Sequence, residues 1–424
     1  MKKISISAAL WISVILGMNA ENDQDQENKK IKIDFSGFVR YDVTLDTRQT
    51  VNAREGIYLL YPAKPLWDKD HQDINGVSHF NMTTINSNIK LNLTGPDLFN
   101  AASKAYFEVD FWGSEINKNI DLNHIRIRHA YIQLNWKATE LLLGQYWNPM
   151  TAPGFFPRVV SSNSGVPFHP ISRNPQIRIR QNLGQMQLIG CLLTQRDSYS
   201  TGPNGADSKY MRNSGVPMAH LQLQYGNKAS TFHVGMGVDY KKVLPELYTT
   251  YEEELIKTGK KSTLSSFSYM AFMDIITRFL SIRMQGVYAC NGHDIQLLGG
   301  YALREITNAA KGEKEYTNMR ALSGWCDLQT NGKTIKGGLF CGYAKNIGAG
   351  EWIEGPIYAR GADIDNVFRL SSRIVYEKKA MTISFECEYT TADYGMENGD
   401  RKGGVTNTNQ VANTRALLSV KYNF

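Results

Sequence analysis

After its first twenty residues the chain has no stretch approaching the roughly 18 consecutive apolar residues that a membrane-spanning helix needs, which excludes a helical membrane bundle. Cysteine is scarce: Cys191, Cys290, Cys326, Cys341 and Cys387 make an odd set, with no Cys-x-x-Cys and no Cys/His spacing. An exported chain cannot pair five thiols internally, so they read as small packing residues in strand-like runs. Catalytic signatures are absent as well. The eight histidines are scattered, and there is no His-Glu-x-x-His, no Gly-x-Ser-x-Gly, no Walker and no Rossmann glycine pattern. No catalytic residue, metal ligand or cofactor is assigned, and no nucleic-acid partner is expected. Glu252, Glu253 and Glu254 are followed by three lysines and read as a solvated loop.

What is present begins with "MKKISISAALWISVILGMNA", two lysines followed by an uncharged run to Ala20. This has the form of a signal peptide over residues 1–20 with a cut after Ala20, the alternative being an N-terminal anchor helix. A short polar segment, residues 21–30, follows, and residues 31–424 read as one transmembrane β-barrel. Ile33, Phe35, Val39, Tyr41, Val43 and Leu45 share one face of the opening run, and Asp34, Ser36, Arg40, Asp42 and Thr44 the other. That alternation is long for a globular strand and suits a tilted membrane strand. "KAYFEVDFW" and "MTISFECEY" repeat it with acids on one face. Acids lining one side of several strands make sense only if that side is wet.

Short links such as "NLGQ", "QTNGKT" and "YEKKA" alternate with long polar ones at 46–78, 113–120, 148–174, 197–215, 241–262, 345–362 and 391–413. Short periplasmic turns with long extracellular loops are the outer-membrane pattern. Treating residues 291–315 as one excursion gives sixteen strands; a strand over 294–304 would give seventeen and break the alternation. The ending "RALLSVKYNF" is a strand whose Phe424 fits a periplasmic aromatic girdle and the signal read by the barrel assembly machinery. Closure onto the first strand explains why it need not fray. Trp112, Trp136, Trp147 and Trp325 are expected in the girdles. A soluble sandwich or propeller is the alternative; no blade repeat supports it.

The 56 residues Leu141–Arg196 contain no Asp, Glu or Lys, yet hold Arg158, Arg173, Arg178, Arg180 and Arg196 and six of the 13 prolines. Elsewhere the signs are nearly balanced, with 47 basic against 40 acidic residues in all. A proline-rich third loop cannot join a ladder but can hold an irregular path across a wide lumen. Its arginines, with Arg178 and Arg180 inward by parity, would line an anion-favouring constriction. The other reading places them at the rim, on lipopolysaccharide phosphates. Arg40, Arg369 and Arg373 also point inward. Arg126 and Arg128 follow only if a bulge near His129 corrects an inconsistent fourth strand, or if one face of it packs on a neighbouring subunit.

The segment "LLLGQYWNPM…FFPRVVSSNSGVPFHPISRNPQIRIRQ", with "IRHAY" and "VYACNGHDIQLLGGYA", resembles the DcaP-like outer-membrane porins over about a third of the chain. The resemblance implies a trimeric, sixteen-stranded channel for small anions such as dicarboxylates. It also implies Arg173, Arg178 and Arg128 as solute contacts, with Gln145, Trp147 and Gln176 as framework. The family's helical N-terminal extension is reduced here to Glu21–Lys30. The expectation is a trimeric porin of the Gram-negative outer membrane, in contact with lipid and lipopolysaccharide, passing small anions. A neutral-sugar channel with Phe155, Phe156 and Phe168 as an aromatic slide, and an outer-membrane hydrolase, are the alternatives.

Overall fold

The computed structural model describes residues 31–113, 124–226, 231–259 and 262–424. The signal-like segment, residues 21–30 and most of the loop expected over 113–120 lie outside the described residues.

Sixteen antiparallel strands close into a barrel. They are β1 (Lys32–Asp46), β2 (in two segments, His79–Thr83 and Asn88–Thr94), β3 (Ala102–Asp110), β4 (Arg126–Asn135), β5 (Thr139–Trp147), β6 (Arg173–Leu183), β7 (Met186–Leu193) and β8 (Met218–Tyr225). The second half is β9 (Phe232–Val243), β10 (Leu264–Ile276), β11 (Leu280–Cys290), β12 (Glu313–Thr330), β13 (Ile335–Gly348), β14 (Ile364–Lys378), β15 (Met381–Met396) and β16 (Thr406–Asn423). β1 pairs with β2 on one side and β16 on the other, so the wall has no free edge. At that seam Gly37 and Phe424 exchange backbone hydrogen bonds of 3.0 and 3.1 Å, and the Phe424 ring stacks on Phe35.

Period-two patterning decides which side each residue faces. Ile33, Phe35, Ile132, Ile177, Leu370 and Ile374 are exposed outward, whereas Asp42, Asp46, Glu108, Asp110, Glu386 and Glu388 point inward and are buried beneath loops that enter the lumen. No described helix is long and apolar enough to span a membrane; the crossing is made by strands. Gly299–Asn308 is no wall strand. It pairs with Glu313–Met319, above the stretch where β11 pairs with Arg320–Thr330. The barrel is therefore sixteen-stranded.

The wall is uneven. β3 to β8 have 8 to 11 residues, β12 to β16 have 14 to 18. The long link expected over 391–413 shrinks accordingly, because alternation persists to Met396 and resumes at Thr406. The tryptophan girdle is corrected too. Trp112, Trp147 and Trp325 face inward and pack on lumenal loops, while Trp136 sits at a short turn with its indole N–H donated to the Phe99 carbonyl. All five cysteines lie in strands with free thiols.

Candidate functional site

The fourth strand resolves its inconsistency with a bulge. Its ladder with β3 steps from Glu108 opposite His129 to Val109 opposite Ile127, leaving Arg128 extra. Arg126 and Arg128 thus point inward, while Ile127 and Ile132 stay outward. The Gln145 amide donates to the Ile127 and Arg128 carbonyls at 2.8 and 3.2 Å, bridging the irregularity. Beside it Gly144 has φ +136°, and a Cβ there would fall on the Ala130 carbonyl, so only glycine fits. Gln176 performs a similar task where Pro175 lacks an N–H, donating to the carbonyls of Tyr146 and Trp147 at 3.0 and 3.1 Å.

The third loop, residues 148–172, leaves β5 through a short 3-10 turn capped by Asn148 and crosses the lumen to the opposite wall. There Gln285 donates to Met150 O (2.8 Å), Ser323 to Phe168 O (2.8 Å), and Ser161 N–H to Glu386 (2.6 Å). Phe168 seats on Gly342, where a Cβ would collide with its ring. Phe155 and Phe168 are buried against the wall, so only Phe156 of the supposed aromatic slide borders open space.

The first loop also enters the lumen, which the sequence reading missed. A hairpin of Thr50–Ala53 and Tyr58–Pro62 buries Ile57, Tyr58, Leu60 and Tyr61 in the same apolar cluster as Val166, Phe168, Trp325 and Val367. The apolar run "IYLLY" inside an otherwise polar link was the available signal.

Between the described loops and the wall lie two chambers. One, of about 780 Å³, is bordered by Arg40, Arg54, Arg126, Arg128, Arg173 and Arg360, with Glu108 and Asp197 as the carboxylates among the described residues. The other, of about 310 Å³, is bordered by Arg40, Arg158, Lys336 and Lys421 against Glu377. Arg40, Val159 and Val160 belong to both walls, so the chambers meet between β1 and the tip of the third loop.

Arginines that face the larger chamber find carboxylate partners on neighbouring strands and loops. Arg126 forks onto Asp110 at 2.7 and 3.0 Å, Arg128 reaches Glu108 (2.7 Å) and Asp110 (2.8 Å), and Arg173 meets Asp197 (3.0 Å). Arg173 also stacks 3.9 Å from the centre of the Trp147 ring. Burial pushes the Asp197 carboxyl up, but Arg173, Arg126 and Arg128 outweigh it and hold it below the ordinary range. Arg158 stands 3.8 Å from Asp274 and 3.7 Å from Asp327, and burial is the first cause lowering its pKa. Among the described residues no carboxylate lies within ion-pair distance of Arg360.

Four expected constriction residues border neither chamber. Arg178 is buried under the Tyr146 ring, and Arg180 pairs with Glu140 at 3.3 Å. Arg373 pairs with Asp327 at 2.8 Å, and Arg369 is spent on loop carbonyls and Thr390. Parity sent all four inward correctly, but inward-facing is not pore-facing once two loops fill the lumen. Arg54, Arg360, Lys336 and Lys421, which the sequence reading did not single out, do border the chambers.

No family model matches the chain, and no curated protein matches it in sequence. Among solved structures, the outer membrane channel DcaP of Acinetobacter baumannii superposes with TM-score 0.69 at 16% identity, over 94% of this chain and 99% of that one. The fold is that of an outer-membrane channel. The resemblance to the DcaP-like porins therefore holds at the level of the fold. Vibrio cholerae OmpT matches at TM-score 0.54 and 8% identity (94% and 100% covered), and Salmonella typhi OmpF, in complex with daunomycin, at 0.51 and 8% (93% and 98%). With its apolar outer belt and wet interior, this outer-membrane channel fold is built for the outer membrane of a Gram-negative bacterium.

Proposed function

We propose that the protein is a passive outer-membrane porin, assembled as a homotrimer, that favours small anionic solutes such as dicarboxylates. One observation carries the reading: two chambers with an excess of cationic side chains share a neck at Arg40. Guanidiniums fixed by wall carboxylates offer forks to carboxylate or phosphate without reorganising, and the low-dielectric wall focuses their field. Arg40, Arg126, Arg128, Arg158 and Arg173 form the constriction. Solutes move down their own gradient, and no bond is made or broken. A trimer form of Vibrio cholerae OmpT, which shares the fold at TM-score 0.53 and 9% identity, supports the assembly state. Phe424 would be read by the barrel assembly machinery, and the outer loops would meet lipopolysaccharide.

The test is the reversal potential of the refolded protein in a planar bilayer under a salt gradient, with native mass measured in detergent. The expected result is anion preference that falls when Arg128 and Arg173 become alanine. Conductance without that preference would return the neutral-sugar reading. Absence of conductance from a folded barrel would refute the channel altogether.

A further inference from the structure

The first-loop hairpin lies between the β14–β16 wall and the third loop, and its backbone carbonyls are taken up by wall side chains. Arg415 forks onto Asp46 at 2.7 and 2.9 Å, and its remaining donors reach Gly56 O (2.6 Å) and Ile57 O (3.1 Å). Arg369 donates to Leu60 O (2.8 Å), and on the third loop to Val166 O (2.9 Å). The Tyr394 hydroxyl reaches Pro62 O at 2.7 Å. Both arginines are fully buried. On its other face the same hairpin gives Asn52, Arg54, Tyr58 and Leu60 to the larger chamber. Its tip turns through Arg54, Glu55 and Gly56, all at positive φ, which carries Arg54 to the chamber wall.

We infer that Arg369 and Arg415 are positioning residues that set the bore: from the barrel wall they hold the first-loop hairpin against the third loop, making the constriction two-lobed, without touching solute themselves. A buried guanidinium suits this task because its five donors are planar and fixed in direction. It can satisfy a carboxylate and two or three carbonyls at once, which an ammonium cannot. Left without those donors, the carbonyls of Gly56, Ile57 and Leu60 would lose their side-chain partners while buried, and the hairpin would lift toward water. The inference rests on the channel reading but not on its anion preference, because the bore is a property of backbone placement.

The experiment measures conductance and the size of the largest neutral polyethylene glycol that enters the pore. It compares wild type with Arg369→Lys, Arg415→Lys and a variant whose residues 50–62 are replaced by a short Gly-Ser linker. Lysine keeps the charge opposite Asp46 and Glu388, so the wall stays paired. The heat at which the barrel loses its compact migration on a gel checks that each variant is folded. The expected result is a larger size limit and about 1.5- to 2-fold higher conductance in both Lys variants. The linker variant should show at least as much, and Arg415→Lys made within it should add nothing, because its loop contacts all fall on the hairpin. Unchanged size limits in folded Lys variants would overturn the inference while leaving the porin reading intact. So would a linker variant no wider than wild type. A wild type that does not conduct at all would sink both.

Discussion

Arg40 offers a test with opposite signs. Its Nε sits 2.7 Å from Asp42, its Nη2 donates to the Val160 carbonyl at 2.7 Å, and it borders both chambers. A monovalent anion about 4 Å from the guanidinium in a wet lumen is drawn by about 1 kcal/mol; Asp42, about 7 Å away, opposes by roughly 0.6 kcal/mol. Arg40→Gln removes the attraction and leaves the repulsion, a swing of about 1 kcal/mol or near fivefold in anion occupancy at the neck. Asp42→Asn removes only the repulsion, raising occupancy by roughly threefold. Reversal potentials in a salt gradient should therefore move in opposite directions for the two variants, and both shifts should shrink in 1 M salt, where the screening length falls to about 3 Å. Shifts of the same sign, or none in either variant, would refute the placement of Arg40 at the neck.

Burial holds His169, in the third loop, near a pKa of about 3 and His293, in the sixth, near about 4. Both lie below the ordinary value of about 6.5, so the docked loops bind fewer protons than released ones. Docking is thus fully favoured above about pH 6.5 and is progressively lost as pH falls toward the docked values. Single-channel current noise should rise at about pH 4.5 relative to pH 7, and His169→Asn should reduce that rise; pH-independent noise would count against it. Gln145→Leu leaves the two bulge carbonyls without their donor, and should lower the denaturant stability of the barrel by about 1 kcal/mol and weaken anion preference as Arg126 and Arg128 turn away. Equal stability and selectivity would show that the bulge does not need its bridge. Gly37→Val should sharply cut the folded yield, because its Cβ would fall on the Asn88 carbonyl and within 2.8 Å of the Phe424 ring, whereas Val43→Ala should not. A normal yield for the glycine variant would mean that the seam tolerates a displaced Phe424.

Architecture was legible wherever one face met lipid. Alternation through β1, β3 and β15, together with loop-length alternation, was enough for sixteen strands, since the bilayer imposes the period directly. The bulge at Arg128 was legible as a contradiction between the two halves of "IRIRHAYIQLNW", because parity cannot change without an extra residue. Pairing inside the lumen was not. Asp197 comes to Arg173 from the fourth loop and Asp110 to Arg126 from β3, and no periodicity in either segment encodes the meeting. Arg178 and Arg369 were misjudged for the same reason. Which inward residues face water depends on where the first and third loops lie, and those paths follow from tertiary packing around Phe168 and Leu60.

The ladder between β1 and β16 joins residues almost the whole chain apart, a contact whose closure entropy would be prohibitive if it formed early. Every other wall ladder joins strands that are neighbours in sequence, across short turns at one rim and longer loops at the other. Hairpins added one after another would carry the two ends around the ring, so the distant contact becomes the final short step of many local ones. The most non-local ladder in the molecule is then also the one whose search has already been done by the rest of the wall.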